Sequence, residues 1–216
     1  MKFWTMSPRR SIMIKIATTY KRRQHMHFTL TYSGHLPSTG NAKVKHDIRR
    51  KLHPQLKELW RTHPGLAGAS NLVKRENGEE GDSSDAAFLT DIQGNDFATL
   101  VHPRYYLYAE LNILMLRPEA PGAVISQAGD IDNQLKTLFD ALRRPTDHSE
   151  VPASWSPTED ETPLYCLLED DKLITKVSVE TDRLLILNAN PKEVQLTIRA
   201  NVKGTAATWG NIGMIA

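Results

Sequence analysis

The sequence has little cysteine, no long apolar run and almost no net charge, and two of these shortages exclude whole classes of protein. Its 216 residues contain one cysteine, Cys166, which excludes an intramolecular disulfide framework and a cysteine-based zinc site. No apolar run approaches the roughly 18–20 residues that span a bilayer, and residues 1–25 lack the apolar core of a signal peptide. We therefore expect a cytoplasmic protein with no membrane partner.

The overall composition is that of a folded protein. Hydrophobic residues make up 40% of the chain and charged residues 24%, which excludes collagen-like, coiled-coil and wholly disordered chains. The chain has no internal repeat that would build a solenoid. A length of 216 residues fits one domain with a sizeable core.

The third shortage, net charge, is misleading because the two signs are separated along the chain. The formal net charge is +2, yet residues 1–63 carry fourteen Lys and Arg against Asp47 and Glu58, which amounts to +12. Residues 64–216 carry 13 basic and 23 acidic side chains, which amounts to −10. A basic block suits a polyanion such as nucleic acid, although a solvated basic tail or helix face gives the same composition.

Hydrophobic periodicity predicts a mixed set of strands and helices. Alternation predicts strands at 26–32 and 193–203, and apolar residues at steps of three and four predict an amphipathic helix over 44–61. Pro54 is expected to kink or break that helix. Further elements are a central strand within 103–118, buried on both faces, a helix at 133–144 and a strand after residue 172. This order predicts an α+β single domain, a mixed sheet of about four strands with two or three helices.

Composition also divides the chain into segments. We expect a basic extension at 1–25, a main domain at 26–203 and a patternless tail at 204–216. Within the domain, the Gly-, Ser- and acid-rich stretch 66–99 predicts a mobile connection. The Pro-, Ser- and acid-rich stretch 145–163 predicts an exposed, mobile insertion.

Two acidic clusters are candidate metal sites. In "GDIDN", Asp130 and Asp132 are two residues apart, so in an extended segment both carboxylates point the same way. In "LLEDDK", Glu169, Asp170 and Asp171 follow the end of an apolar strand. Such oxygen ligands suit Mg²⁺ or Mn²⁺. The alternatives are that Asp132 is a helix N-cap and that the second cluster is a solvated turn.

The helix that follows the first cluster carries a polar face. At about 100° per residue, Asn133, Lys136 and Asp140 gather on one side, away from the stripe of Leu135, Leu138, Phe139 and Leu142. Lys136 and Asp140 could form a simple ion pair one turn apart. The basic face of helix 44–61 offers Lys43, Lys45, Arg49 and Arg50 as phosphate contacts.

These motifs together resemble a known family. The run "GDIDNQLKTLFDAL", followed by "EDDKLITKVSVE", resembles the signature of the RusA family of Holliday-junction resolvases. That signature is Asp-x-Asp-Asn before a helix with Lys and Asp-Ala-Leu, and then a paired Asp leading into a strand. The resemblance extends more loosely over residues 26–203, and the insertion at 145–163 is longer and more acidic than is usual for the family.

The resemblance implies specific roles for these residues. By it, Asp130, Asp132 and Asp171 match the essential carboxylates that hold Mg²⁺, with Asp170 as a neighbouring ligand, and Lys136 matches the functional lysine. It implies a homodimeric endonuclease that nicks four-way DNA junctions symmetrically with Mg²⁺, for which Mn²⁺ can substitute. The alternative from a different class is a non-catalytic DNA-binding or partner-binding module of the same fold.

Overall fold

A computed structural model describes residues 26–67, 88–119, 131–186, 190, 192–208 and 210–215. In these residues, four α-helices and two mixed sheets confirm the α+β class. The strands are β1 Met26–His35, β2 Leu89–Ile92, β3 Asn95–Val101, β4 Leu107–Arg117, β5 Leu164–Leu168, β6 Ile174–Arg183 and β7 Glu193–Gly204. The helices are α1 Ala42–Thr62, α2 Pro64–Ala67, α3 Ile131–Leu142 and α4 Ile212–Ile215. The predicted extension at 1–25 and Asp130 lie outside the described residues.

The larger sheet has the strand order β1-β7-β4-β6, and its β4–β6 pair is parallel while the other pairs are antiparallel. The predicted strands at 26–32, 103–118 and 193–203 are confirmed as β1, β4 and β7. The expectation that the central strand is buried on both faces is wrong. In β4, Leu111 and Ile113 are buried whereas Asn112 and Leu114 are exposed, because the helices pack on one face only.

A second, three-stranded sheet lies where a mobile connection was predicted. Its order is β2-β3-β5, with β2 and β3 antiparallel and β3 and β5 parallel. The β2–β3 hairpin turns on Gln93 and Gly94, both at positive φ, as a two-residue hairpin turn requires. The prediction for 66–99 is therefore wrong over β2 and β3, and residues 68–87 lie outside the described part.

Helix α1 confirms the predicted amphipathic helix but not the predicted break. It begins after Asn41, whose side chain accepts a hydrogen bond from the Val44 N–H, and it continues through Pro54 to Thr62. Leu52 and Leu56 are buried on either side of the proline. Their burial outweighs the single backbone hydrogen bond that proline removes.

Helix α3 confirms the second predicted helix, although it begins at Ile131 and ends at Leu142. Leu138 and Leu142 are buried, and Leu135 and Phe139 pack against the same core. The predicted apolar stripe therefore faces the core. It leaves the opposite side of the helix, with Asp132 and Lys136, exposed.

The acidic insertion 145–163 is more ordered than its composition predicts. It contains two short 3-10 helices, His148–Glu150 and Glu159–Glu161, and Glu161 is buried. Trp155 packs against a cluster that includes Phe97 and Cys166. The prediction of an exposed mobile insertion is therefore wrong for these parts, since an indole and a carboxylate anchor the segment.

The tail 204–216 also contains structure that its sequence pattern did not predict. Asn211 is fully buried, and its amide donates to the backbone oxygens of Tyr105 at 2.6 Å and Ala206 at 2.7 Å. Helix α4 then contacts α2, where a Cβ on Gly65 would lie 1.9 Å from the Gly213 oxygen. Over the described residues, no helix is long and apolar enough to cross a membrane.

Candidate active site and basic helix

The paired aspartates lie on a tight turn between the two sheets. Strand β5 ends at Leu168, and Asp170 caps the short 3-10 helix Asp171–Leu173, its carboxylate accepting from the Lys172 N–H at 2.9 Å. That hydrogen bond holds the pKa of Asp170 below its usual value. Partial burial, together with the hydrogen bond and charge of Asp170, raises the pKa of Asp171. The turn thus holds two adjacent carboxylates that resist being ionised together.

Helix α3 brings a third carboxylate toward this pair. Asp140, in the last turn of α3, is close enough for its charge to contribute to the raised pKa of Asp171. Asp132 stands in the first turn, eight residues earlier, which is about 12 Å along the helix axis. The turn of Asp170 and Asp171 therefore adjoins the end of α3 that carries Asp140, rather than the end that carries Asp132.

Asp140 is held by two cations. Its carboxylate pairs with Lys45 of α1 at 2.7 Å and with Arg143 at 3.2 Å. Lys136 is exposed and forms no ion pair with any residue that the structure describes, so the alternative in which it pairs with Asp140 is not the arrangement found. No carboxylate of the described residues therefore neutralises its ammonium.

Arg143 is a central residue that the sequence analysis missed. It is buried, it donates two hydrogen bonds to the Glu150 carboxylate at 2.8 and 2.7 Å, and its charge lowers the pKa of both Asp170 and Asp171. Nothing in the sequence marks it beyond a basic residue at a helix end, which the helix dipole favours in any protein.

Glu169, the first acid of "EDD", is not part of the aspartate pair. Its carboxylate makes an ion pair with Arg144 and accepts from the Thr99 hydroxyl at 3.2 Å. His102 lies 3.8 Å from the same carboxylate, and burial lowers the pKa of that histidine. Glu169 therefore joins β3, β5 and the end of α3 structurally.

The structure corrects the role proposed for Arg49. This residue is 1% exposed, and its guanidinium donates to the backbone oxygens of Arg143 at 2.8 Å and Asp140 at 2.6 Å. Burial lowers the pKa of this side chain. The prediction of a phosphate contact at Arg49 is wrong, because its guanidinium binds the free carbonyls at the end of α3.

The other basic residues of α1 divide into paired and unpaired groups. Arg50 makes a 2.5 Å ion pair with Glu161, and Lys57 makes a 3.2 Å ion pair with Asp160, so the acidic insertion neutralises part of the helix. Lys43 is exposed, while the Lys45 ammonium is engaged by Asp140. Lys43 and the partly exposed Arg50 are thus the predicted phosphate contacts that solvent still reaches.

The donor set fits a hard divalent cation in part. Asp170 and Asp171 supply adjacent carboxylate oxygens, which Mg²⁺ prefers, and a cation would offset the burial and the neighbouring charge that raise the pKa of Asp171. Over the described residues, no three His, Cys, Asp or Glu side chains form a group able to hold a metal. Asp130, the remaining predicted ligand, lies outside these residues.

Comparisons with known proteins add no family to this description. No protein-family model matches the chain, and neither a curated protein nor a solved structure is significantly similar to it. The resemblance to the RusA family therefore depends on the residues of the two acidic motifs and of the helix between them.

Proposed function

We propose that this protein is a Mg²⁺-dependent endodeoxyribonuclease of the cytoplasm that resolves four-way DNA junctions as a homodimer, for recombination and repair. The observation that carries the proposal is the meeting of the aspartate turn with the end of α3. There the charges of Asp170 and Asp140 add to the burial that raises the pKa of Asp171, beside the buried Arg49 and Arg143. A carboxylate whose pKa is shifted by burial and by neighbouring carboxylates, as that of Asp171 is, is typical of sites that bind cations or transfer protons.

In this proposal the carboxylates divide into ligands and supports. Asp170 and Asp171 would hold Mg²⁺, whereas Asp132, about 12 Å along α3 from the end that adjoins their turn, would not share that ion. Asp130 stays a predicted ligand outside the described residues. When bound, the ion would activate water and offset charge on the phosphate, and Mn²⁺ would substitute for it. Asp140, fixed by Lys45 and Arg143, would support the ligands without binding the metal itself.

Lys136 has the place and the charge to bind the reacting phosphate. It lies midway along α3, between the levels of Asp132 and Asp140, and its side chain is exposed. An ammonium here would stabilise the charge that develops on the phosphate oxygens. Lys43 and Arg50 would contact phosphates farther along the DNA without reading its sequence.

A second function has its own supporting observation. Asp132 of the first acidic motif lies about 12 Å along α3 from Asp140, at whose end of the helix the second motif lies. The acidic insertion also pairs with Arg50 and Lys57. Both features suit a non-catalytic module that binds branched DNA or another partner without cleaving it.

The test is cleavage of labelled four-way junction, fork and linear duplex with Mg²⁺, with Mn²⁺ and with chelator. We expect paired symmetric nicks in the junction that disappear in Asp171→Asn and Lys136→Ala while junction binding persists. The matched control is Glu159→Gln, an exposed carboxylate at the start of the short 3-10 helix Glu159–Glu161, away from the aspartate turn and from β6. Binding without cleavage in all three metal conditions would contradict the nuclease proposal and favour the non-catalytic module.

A further inference from the structure

The two edges of the larger sheet, β1 and β6, differ in whether a side chain occupies their outward backbone N–H and C=O groups. At the β1 edge, the Gln55 side chain of α1 accepts from the Thr31 N–H at 2.8 Å and donates to the Thr31 oxygen at 2.7 Å. At the other edge, β6 has β4 as its one strand neighbour among the described residues. Every second residue of such a strand directs its N–H and C=O outward, where they can pair with another chain.

Strand β6 is also exposed on both of its faces. Seven of its ten residues are exposed, whereas exposure in β1 and β7 alternates or is partial. Six large hydrophobic side chains are exposed in the described part of the chain. Four of them lie on β6, beside it on β4 or just after it, namely Val177, Leu114, Leu185 and Ile186. Exposed apolar groups concentrated along an open edge mark an interaction surface.

We propose that β6 pairs antiparallel with β6 of a second copy of this chain, about a two-fold axis through Ser178. The two four-stranded sheets then form one sheet of eight strands. A two-fold axis perpendicular to the sheet keeps the same face of both copies on the same side, so the helices of both protomers share one face. Nine residues of each β6 pair in this arrangement.

The charge pattern of β6 favours this register over those shifted by two residues. With Ser178 opposite itself, Lys176 lies opposite the partner's Glu180, and symmetry repeats this ion pair. On the other face, the exposed Val177 lies opposite the partner's Val179. Centring the pair on Lys176 or on Glu180 would instead place like charges opposite each other, which destabilises a strand pair.

This inference stands on the edge strand and not on the nuclease proposal, although a two-fold dimer is what that proposal requires. It is tested by the molecular mass in solution and by disulfide cross-linking, and neither measurement depends on cleavage activity. Failure of the dimer and failure of the nuclease are therefore distinguishable.

The first measurement is the mass of the full chain by sedimentation equilibrium. We expect about twice the 24.3 kDa of one chain, and Glu180→Lys should raise the dimer dissociation constant at least about tenfold, because like charges then face each other twice. Adding Lys176→Glu to that variant should restore the dimer. A chain of 24.3 kDa at all concentrations, or a dimer insensitive to both variants, would overturn the proposal.

The second measurement fixes the register. Directly opposed residues have Cα atoms about 4.5–5.5 Å apart, which suits a disulfide, so Ser178→Cys should give an intermolecular disulfide under mild oxidation. The native Cys166 is buried and will not react. Thr29→Cys is the matched control, since Thr29 lies at the same level across the sheet but on β1. Equal cross-linking of both variants, or of neither, would contradict β6 pairing.

Discussion

Replacing Arg49 by alanine should destabilise the fold strongly. The guanidinium donates to two backbone carbonyls at the end of α3, at 2.8 and 2.6 Å, from a fully buried position. Hydrogen bonds from a charged donor each contribute about 1.5–3 kcal/mol. The alanine variant no longer has to bury a cation, and this gain offsets part of the lost hydrogen-bond energy. The free energy of unfolding should therefore fall by roughly 3–5 kcal/mol. The free energy of unfolding of natural domains is about 5–15 kcal/mol, so this loss is a large fraction of the total.

The assay is thermal unfolding followed by circular dichroism, with junction binding measured in parallel. For a domain of this size, the expected loss lowers the Tm by roughly 6–20 °C. Lys43→Ala on the same helix is the control, and it should change the free energy of unfolding by less than about 0.5 kcal/mol. If Arg49→Ala kept its Tm and lost DNA binding, Arg49 would be a phosphate contact and the structural role argued for it would be wrong.

Two further predictions concern titrating groups. Burial lowers the pKa of His46 to about 4, so the native state stays neutral while the unfolded state takes up a proton as the pH falls below 6.5. His46 should therefore contribute about 3 kcal/mol to the loss of wild-type stability between pH 6.5 and 4, and His46→Leu should remove that part of the loss in urea unfolding whereas His148→Gln should not. The pKa of Asp171 is raised, so its ionisation destabilises the native state as the pH rises through that pKa. Asp171→Asn should consequently raise the Tm at neutral pH without Mg²⁺, with no gain in acid. Mg²⁺ should raise the Tm of the wild type but not of the variant, and an equal rise in both would count against Asp171 as a ligand.

Periodicity predicted the elements whose apolar spacing is regular, and it failed where contacts across the chain decide the structure. Helices α1 and α3 and strands β1 and β7 show a clear stripe or alternation in the sequence. Strands β2 and β3 were missed because β2 is four residues long and polar residues interrupt its pattern. Their hairpin turns on Gln-Gly, which is a weaker signal than Asn-Gly.

The residue types of the candidate site could be predicted from the sequence, but their arrangement in space could not. The motif showed Asp170 and Asp171 after an apolar strand, and the structure places them on a turn as expected. That Asp140 adjoins them depends on the direction in which α3 runs past β5, which local spacing does not contain. Arg49 is a similar case, since its acceptor at Asp140 is 91 residues away and a helix face alone gives no sign of it.

The side-chain amide of Gln55 limits how far the larger sheet can grow. It occupies the N–H and C=O of Thr31 as a neighbouring strand would, so β1 offers no continuous row of free groups for another chain. A sheet that can add strands at one edge alone forms a closed pair, whereas one open at both edges polymerises into a filament. With the proposed β6 pairing, the Gln55 amide thus favours a closed pair of sheets over continued growth at the β1 edge.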